Sequence, residues 1–172
     1  MTTHLHLGCG STYLPGYTNV DSRPGLNVDL VCDFLSLPFP ELSVNTIYMC
    51  HSLEHIPMHS VLPFLSSCRR ILKEAGCLYV SVPDFTVLSS LYLSNRTPLS
   101  MIVRAIHGGQ EYPGNIHYIS FDQAFLTDIL LQAGFTAIAP YVPSEFLPAG
   151  FEDTSTYEIA GKAISLNLRA TF

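Results

Sequence analysis

The sequence predicts one α/β domain with a mostly parallel sheet, because short apolar runs alternate with amphipathic helical patterns along its 172 residues. Two observations carry this prediction. Four apolar runs in the first 50 residues are too short for helices, and each stops at a turn or polar residue. Later segments repeat apolar residues at helical spacing. No internal repeat marks a boundary, so we expect a single domain over residues 1–172.

The four runs cover residues 4–7, 17–20, 28–32 and 46–50. The first ends in the turn Gly8-Cys9-Gly10, the second on Asp21, the third on Asp33 and the fourth on the polar cluster that begins at His51. In open α/β sheets ligands bind at the carboxyl ends of the strands. The sequence therefore predicts a ligand site at this edge of the sheet.

A helix and a buried strand follow the fourth run. Apolar residues recur at steps of three and four over residues 58–73, which predicts an amphipathic helix. Gly76 suits the left-handed position after its end. Residues 77–82 form a near-continuous apolar run, as expected of a buried parallel strand.

The second half of the sequence predicts helical segments at 88–93 and 101–106. A third helix should run from the N-cap Asp122 to about residue 133 and stop at Gly134. Residues 135–142 and 162–172 predict two closing strands with no helix between them. We therefore expect a sheet of about seven strands with an antiparallel C-terminal strand.

The links between the first strands are unusually short. Gly10 and Asp21 are 11 positions apart, whereas a parallel crossover normally needs a dozen or more residues. Residues 22–27 are too few for a helix as well. The N-terminal half should therefore be depleted of helices, and an apolar sheet face left open there would favour a homodimer. The low charged fraction of 13% fits this, although it fits a large core equally well.

Charge and cysteine content exclude other classes. A formal charge of −6 and the lack of a Lys/Arg cluster argue against nucleic-acid binding. Five irregularly spaced cysteines do not form a disulfide framework, which indicates a cytoplasmic protein. No signal peptide is apparent, and no apolar run approaches the roughly 20 residues of a membrane span.

The ordered motifs of residues 4–84 resemble the class I S-adenosylmethionine-dependent methyltransferases, specifically short members of the type-11 group associated with cell-surface glycan synthesis. The segments that carry the resemblance are Leu5-His6-Leu7-Gly8-Cys9-Gly10, Asn19-Val20-Asp21, Asp33 with Leu37-Pro38-Phe39, His51-Ser52-Leu53-Glu54-His55, and Arg70-Ile71-Leu72-Lys73-Glu74-Ala75-Gly76 leading into Val80-Ser81-Val82-Pro83. The resemblance implies a Rossmann-like three-layer sandwich and S-adenosylmethionine as cofactor, with S-adenosylhomocysteine as product.

The resemblance also implies residue roles. The turn Gly8-Cys9-Gly10 would approach the cofactor, Asp21 would accept hydrogen bonds from its ribose hydroxyls, and Asp33 with Phe34 would face its adenine. Each feature has a plainer interpretation: the glycines form a tight turn only, Asp21 forms a turn, and Asp33 caps a short turn.

His51 follows the fourth strand, next to the expected methyl group, so it is the first candidate for general base or acceptor contact and would also touch the cofactor. It could instead bond only to the backbone. Asp84 and His117 are the second catalytic candidates, since both would overhang the same crevice.

His51, His55 and His59 recur at four-residue spacing, which is compatible with a metal site on a helix. Pro57 interrupts any helix through them, and no cysteine joins at ligand spacing. We therefore predict no metal at these histidines.

The sequence predicts methylation of a small molecule or glycan, at a hydroxyl. The motifs of nucleic-acid methyltransferases, Asn- or Asp-Pro-Pro-aromatic after the fourth strand or a Pro-Cys nucleophile, are absent. Two alternatives remain open: a catalytically silent methyltransferase-like protein that acts as a partner subunit, and another S-adenosylmethionine enzyme such as a lyase.

Overall fold

A computed structural model describes residues 3–94 and 97–172 of the chain. The strands of this part are β1 His4–Leu7, β2 Thr18–Asp21, β3 Leu30–Val31, β4 Val44–Cys50, β5 Leu72–Pro83, β6 Ala137–Pro140, β7 Glu158–Ile159, β8 Lys162–Ala163 and β9 Ser165–Thr171. The helices are α1 Met58–Ile71, α2 Phe85–Leu93, α3 Leu99–His107, α4 Gln123–Gln132 and α5 Pro143–Phe146.

Seven strands form one sheet in the order β3-β2-β1-β4-β5-β9-β6, and β7 pairs with β8 in a small separate hairpin. The first five strands of that order are parallel to their neighbours. The strand β9 runs antiparallel between β5 and β6. The predicted mostly parallel sheet with an antiparallel C-terminal strand is confirmed.

Helices α1 and α4 cover one face of the sheet. On β4 the alternate residues Ile47 and Met49 point into this layer and are fully buried. The apolar stripe of α1, including Phe64 and Leu65, is buried against them, as its three- and four-residue spacing predicts. This layer contains the largest core cluster of the domain.

The opposite face is covered by aromatic side chains from a largely non-helical segment. Tyr48 and Tyr79 project to this side of the sheet, where the ring of Phe146 stacks on Tyr79 with centroids 3.8 Å apart. Leu14, from the short link between β1 and β2, is fully buried in the same cluster. This packing covers the central part of the face. The sequence predicted an open apolar face, and the centre of the sheet does not provide one.

The N-terminal half is depleted of helices, as predicted. Residues 8–17 and 22–29 hold turns where a longer domain of this class would hold helices. Between β3 and β4 there is one 3-10 turn, Phe34–Ser36. The carboxyl ends of the first strands are therefore lined by turns.

The predicted stop at Gly76 is wrong. Helix α1 ends at Ile71, β5 begins at Leu72, and Gly76 lies inside that strand next to an irregularity in its pairing with β4. A Cβ at Gly76 would lie 2.8 Å from the carbonyl oxygen of Lys73, so glycine is needed here for space and not for a left-handed conformation. By contrast, Asp122 accepts from the Phe125 N–H and Gly134 has a φ of +96°, as predicted for α4.

Among the described residues, no helix is both long enough and apolar enough to cross a membrane.

Candidate functional site

A cavity of about 1090 Å³ opens at the carboxyl ends of β1, β2 and β4. Its size corresponds to a site for a drug-sized ligand with additional room. The predicted residues that line it are Gly8, Cys9, Gly10, Asp21, Phe34, His51 and His117. The ligand site predicted at this edge of the sheet therefore coincides with a cavity that the fold forms.

The glycine turn is tied to the end of β2 by its backbone. The N–H groups of Gly8 and Cys9 both donate to the carbonyl oxygen of Val20, at 2.8 and 3.1 Å. Gly8 has a φ of +73° and Gly10 a φ of +55°, which favour glycine. A Cβ at Gly8 would overlap the side chain of Ser52, whereas a Cβ at Gly10 would meet nothing within 4 Å. The turn thus packs tightly on its Gly8 side and is open at Gly10.

Asp21 is nearly buried and its carboxylate is held by backbone donors. Oδ2 accepts from the Gly10 N–H and Oδ1 from the Arg23 N–H, both at 2.9 Å. The Arg23 side chain lies 3.6 Å from Oδ1. Because a carboxylate offers about four acceptor positions, this arrangement fixes the group and leaves capacity for two further donors from the cavity.

Asp33 and Phe34 are adjacent in sequence but differ in position. Asp33 is exposed, lies outside the residues that line the cavity, and accepts from the Leu35 N–H at 2.9 Å as the cap of a 3-10 turn. Phe34 lines the cavity, and its ring stacks against Phe64 of α1 with centroids 5.9 Å apart. The turn cap at Asp33 thus directs the aromatic ring of Phe34 toward the site.

His51 lies directly after β4 with a φ of +47°, a strained conformation for a residue with a side chain. The Ser165 hydroxyl donates to the Thr154 carbonyl at 2.7 Å, so it accepts from His51 Nε2–H, at 2.8 Å. This leaves a lone pair on Nδ1, which is 3.7 Å from Oε1 of Glu54. Burial lowers the pKa of His51 to about 4, so the ring is neutral at neutral pH.

His117 reaches the same place from the loop after α3. Its Nδ1 lies 3.0 Å from the Ala105 carbonyl oxygen, to which it must donate, and its Nε2 is 3.8 Å from Oε1 of Glu54. Burial, together with the neighbouring His55, lowers the pKa of His117 to about 4. His51 and His117, predicted separately from the sequence, are brought together around Glu54.

Asp84 has a capping position. Its carboxylate accepts from the N–H groups of Thr86 and Val87 at 2.8 and 3.2 Å, which satisfies the first turn of α2. It is not among the residues that line the cavity.

Sequence reasoning missed the segment 152–158, which forms part of the cavity wall. Asp153 accepts from the hydroxyl of the buried Tyr48, and Thr154 contacts Cys50 across 3.2 Å. From the sequence, Glu54 was expected only to shape the loop or contact the cofactor, whereas it is fully buried in the 3-10 turn Leu53–His55. Glu54 could have been singled out, since a carboxylate among apolar residues and histidines is unusual in a buried turn. No local pattern in 152–158 indicates its contact with β4.

One side-chain cluster has the composition of a metal site. Ligand atoms of Glu54, His55 and His117 lie within 4.8 Å of one another. Of the histidines with four-residue spacing, His59 lies exposed on α1 and is not part of this cluster. The group that the structure assembles therefore differs from the one that the sequence spacing suggested.

Comparison with known families and structures gives a consistent result. Residues 17–80 match the model of a methyltransferase domain, the type-11 family. Curated protein sequences give no match to the chain.

Similar solved structures cover nearly the whole chain. An S-adenosylmethionine-dependent methyltransferase from Thermotoga maritima is 19% identical, with a TM-score of 0.64, over 99% of this chain and 82% of that one. One from Archaeoglobus fulgidus is 15% identical, with a TM-score of 0.62, over 98% and 85%. The Burkholderia thailandensis 1,6-didemethyltoxoflavin-N1-methyltransferase, solved with its substrate and S-adenosylhomocysteine, is 15% identical, with a TM-score of 0.55, over 98% and 69%. These similarities show the fold.

Proposed function

Because residues 17–80 belong to the type-11 methyltransferase domain and the chain has the fold of the class I S-adenosylmethionine-dependent enzymes, we propose that this protein transfers a methyl group from S-adenosylmethionine to a small molecule or glycan, at a hydroxyl. The observation that carries the proposal is that the glycine turn, Asp21 and Phe34 line the same cavity as His51 and His117.

The residues of the first strands fit the cofactor. The open side of the turn at Gly10 gives a ligand access to the backbone, and the remaining acceptor positions of Asp21 suit two adjacent ribose hydroxyls. The ring of Phe34 offers an apolar face for the adenine. Cys9 lines the same wall, and burial together with Asp21 raises the pKa of its thiol to about 11, so it contributes packing and not a charge.

When bound, S-adenosylmethionine supplies an activated methyl group on a sulfonium. The protein then has to place the acceptor and exclude water, since alignment accounts for much of the rate of such displacements. His51 is neutral at neutral pH, so its Nδ1 lone pair can orient an acceptor hydroxyl by accepting its hydrogen. His117 stands as the second candidate for that contact.

The character of the remaining wall supports a hydroxylated acceptor. Polar side chains line the cavity beyond the turn and the histidines: Arg104, Asn115, Glu152, Asp153, Thr154, Tyr157 and Glu158. Such a set offers donors and acceptors on several sides, as a sugar or polyol requires. The volume of about 1090 Å³ accommodates an acceptor beside the cofactor.

We also propose that the protein is a cytoplasmic homodimer. Large apolar side chains at the helix-depleted end of the sheet are exposed: Leu26, Val31 and Leu35. Pairing of two copies there would remove them from water. The five cysteines, all within the described residues, are free thiols, as is usual in a reducing compartment. Sedimentation equilibrium at tens of micromolar tests the dimer, and Val31→Glu should dissociate it.

Calorimetric titration with S-adenosylmethionine and S-adenosylhomocysteine tests cofactor binding. We expect one site per chain, and Asp21→Asn should weaken it about 10- to 100-fold, because an amide cannot accept every hydrogen bond of the carboxylate. Asp128→Asn, an exposed position on α4, is the matched control. Absence of binding by both ligands at millimolar concentration would contradict the proposal.

Methyl transfer is tested with isotope-labelled S-adenosylmethionine and a panel of sugars, phenols and amines. Label in a hydroxylated product supports the full proposal. Label confined to amines would retain the enzyme class and reject the hydroxyl. Cofactor binding without transfer to any acceptor would favour the silent partner protein.

A further inference from the structure

We propose that Glu54, His55 and His117 bind a divalent transition-metal ion, with Zn²⁺ as the representative case, in the wall of the cavity beside His51. The argument for this site does not rest on the methyl-transfer function, because it is made from the geometry of the side chains around Glu54. With an ion bound, His117 is a ligand and the acceptor contact is left to His51.

The first observation is the state of Glu54. Its side chain is fully buried, and neither carboxylate oxygen has a hydrogen-bond partner. Burial raises the pKa of Glu54 to about 8, and a buried carboxyl group is normally paired, bound to a cation or neutralised by a proton. The described residues around Glu54 offer no Lys or Arg within ion-pair distance; its charged or chargeable neighbours are His51 and His117.

The second observation is the orientation of the histidine rings. His55 Nδ1 lies 3.0 Å from the Ile116 carbonyl oxygen and His117 Nδ1 lies 3.0 Å from that of Ala105. Because a carbonyl can only accept, each Nδ1 carries the hydrogen and each Nε2 keeps a lone pair. Metal-ligating histidines nearly always donate their second nitrogen to a backbone carbonyl or carboxylate in this way.

The ring of His51 is oriented in the same sense. Its Nε2–H donates to Ser165, whose hydroxyl is committed to the Thr154 carbonyl, so the lone pair of His51 lies on Nδ1. The lone pairs of His51 Nδ1 and His117 Nε2 therefore both lie near Oε1 of Glu54, which is itself an acceptor when ionised. A cation at the centre resolves this conflict among acceptors.

The third observation is the spacing. Oε1 of Glu54 is 3.8 Å from His117 Nε2, which is too long for a hydrogen bond. Two ligands about 2.0–2.2 Å from one ion are separated by roughly 3.3–3.8 Å at tetrahedral and wider angles. The ligand atoms of Glu54, His55 and His117 all lie within 4.8 Å of one another. Small side-chain rotations would therefore complete the coordination.

The donor set selects the class of ion. Imidazole nitrogens with one carboxylate suit Zn²⁺ and neighbouring transition metals, whereas Mg²⁺ and Ca²⁺ prefer oxygen ligands. His55 and His117 line the cavity, so an ion can enter from solvent and retain an open position toward it. His117 is 62 positions beyond His55 in the chain (117 − 55), which explains why local spacing did not indicate the site.

The test is a titration of chelator-treated protein with ZnCl₂ by calorimetry and with CoCl₂ by absorption. We expect one ion per chain and a Co²⁺ spectrum without a thiolate charge-transfer band, which separates this site from the five cysteines. Glu54→Gln and His117→Ala should each weaken binding at least about 100-fold. The exposed His59→Ala and His107→Ala are matched controls and should bind as the parent protein does.

Thermal unfolding monitored by circular dichroism identifies any variant that fails to fold. The titration of the parent protein tests metal binding without any variant. Absence of stoichiometric Zn²⁺ and Co²⁺ binding by the parent protein overturns the proposal and leaves Glu54 as a protonated buried acid. A thiolate band, or equal loss in His59→Ala, also overturns it. S-adenosylhomocysteine titrations on the same metal-free samples show independently whether the cofactor site functions.

Discussion

The backbone N–H of Gly10 donates a hydrogen bond of 2.9 Å to Oδ2 of Asp21. This bond joins the turn after β1 to the last residue of β2 at the rim of the cavity. The N–H groups of Gly8 and Cys9 are also directed to the end of β2, at the Val20 carbonyl. The turn therefore positions the acidic residue, and we expect changes in the turn to affect ligand binding through Asp21.

Gly8→Ala should destabilise the fold more than Gly16→Ala. A Cβ at Gly8 would overlap Ser52 in addition to the strain of a φ of +73°, so we expect a loss of about 2–4 kcal/mol in the free energy of unfolding. At Gly16 the φ is +83°, but a Cβ would meet open space. Gly16→Ala should therefore lower the free energy of unfolding by only about 1–2 kcal/mol. Denaturant titrations measure both.

Ser52→Gly provides the control, because it removes the overlapped side chain. The double variant with Gly8→Ala should regain part of the lost stability. Equal losses for Gly8→Ala and Gly16→Ala would show that the packing against Ser52 has no energetic weight.

Tyr48→Phe should loosen the cavity wall formed by segment 152–158. The hydroxyl of the buried Tyr48 donates to Asp153, and its removal leaves that carboxylate without this partner. We expect a loss of about 1–3 kcal/mol and faster amide hydrogen exchange in this segment. Tyr13→Phe, at a half-exposed side chain, should change neither. Unchanged exchange in Tyr48→Phe would count against this anchoring role.

Stability should fall as the pH drops below about 6.5, in part because of His6. Burial lowers the pKa of His6 in the folded state, so below the unfolded value of 6.5 the unfolded chain binds a proton that the folded chain resists. His6 donates through Nδ1 to Oδ1 of Asn19, whose amide group is committed as a donor to backbone carbonyls. His6→Asn can retain that donor without titrating.

Urea midpoints between pH 7 and pH 5 should therefore decline less steeply in His6→Asn than in the parent protein. The other buried histidines and Glu54 contribute equally to both proteins, so the difference isolates His6. Parallel pH profiles would mean that His6 does not titrate differently in the two states.

The parallel strands and the residues at which they end could be predicted from the sequence, because the spacing of apolar residues and the presence of turn residues are local signals. The sequence placed Asp21 correctly at the end of a strand. It also predicted the depletion of helices, because only 11 positions separate Gly10 from Asp21. The failure at Gly76 arose because a glycine needed for close packing has the same local signature as one needed for a left-handed turn. The choice between these depends on the neighbouring strand.

The other half of the site depends on distant contacts. Tyr48 and Asp153 are 105 positions apart, and Glu54 meets His117 across 63 positions (117 − 54). These pairs form only when β9 and the loop after α3 pack against the sheet, which no local sequence pattern predicts. Sequence spacing therefore suggested a histidine set that includes the exposed His59, whereas the fold assembles one that includes Glu54.

Phe34→Ala should weaken binding of S-adenosylhomocysteine about 10-fold or more if this ring faces the adenine. The half-buried ring also packs on Phe64, so the variant will lose stability as well, by about 2–4 kcal/mol.

Phe34→Leu separates the two effects, because leucine retains most of the apolar contact with α1 but cannot stack on a purine. It should recover stability more than affinity. Leu131→Ala, at an exposed position of α4, should alter neither by more than a small amount. Calorimetric titration at a temperature where every variant is folded decides the outcome: full affinity in Phe34→Leu would mean that the ring supports the fold without contacting the adenine.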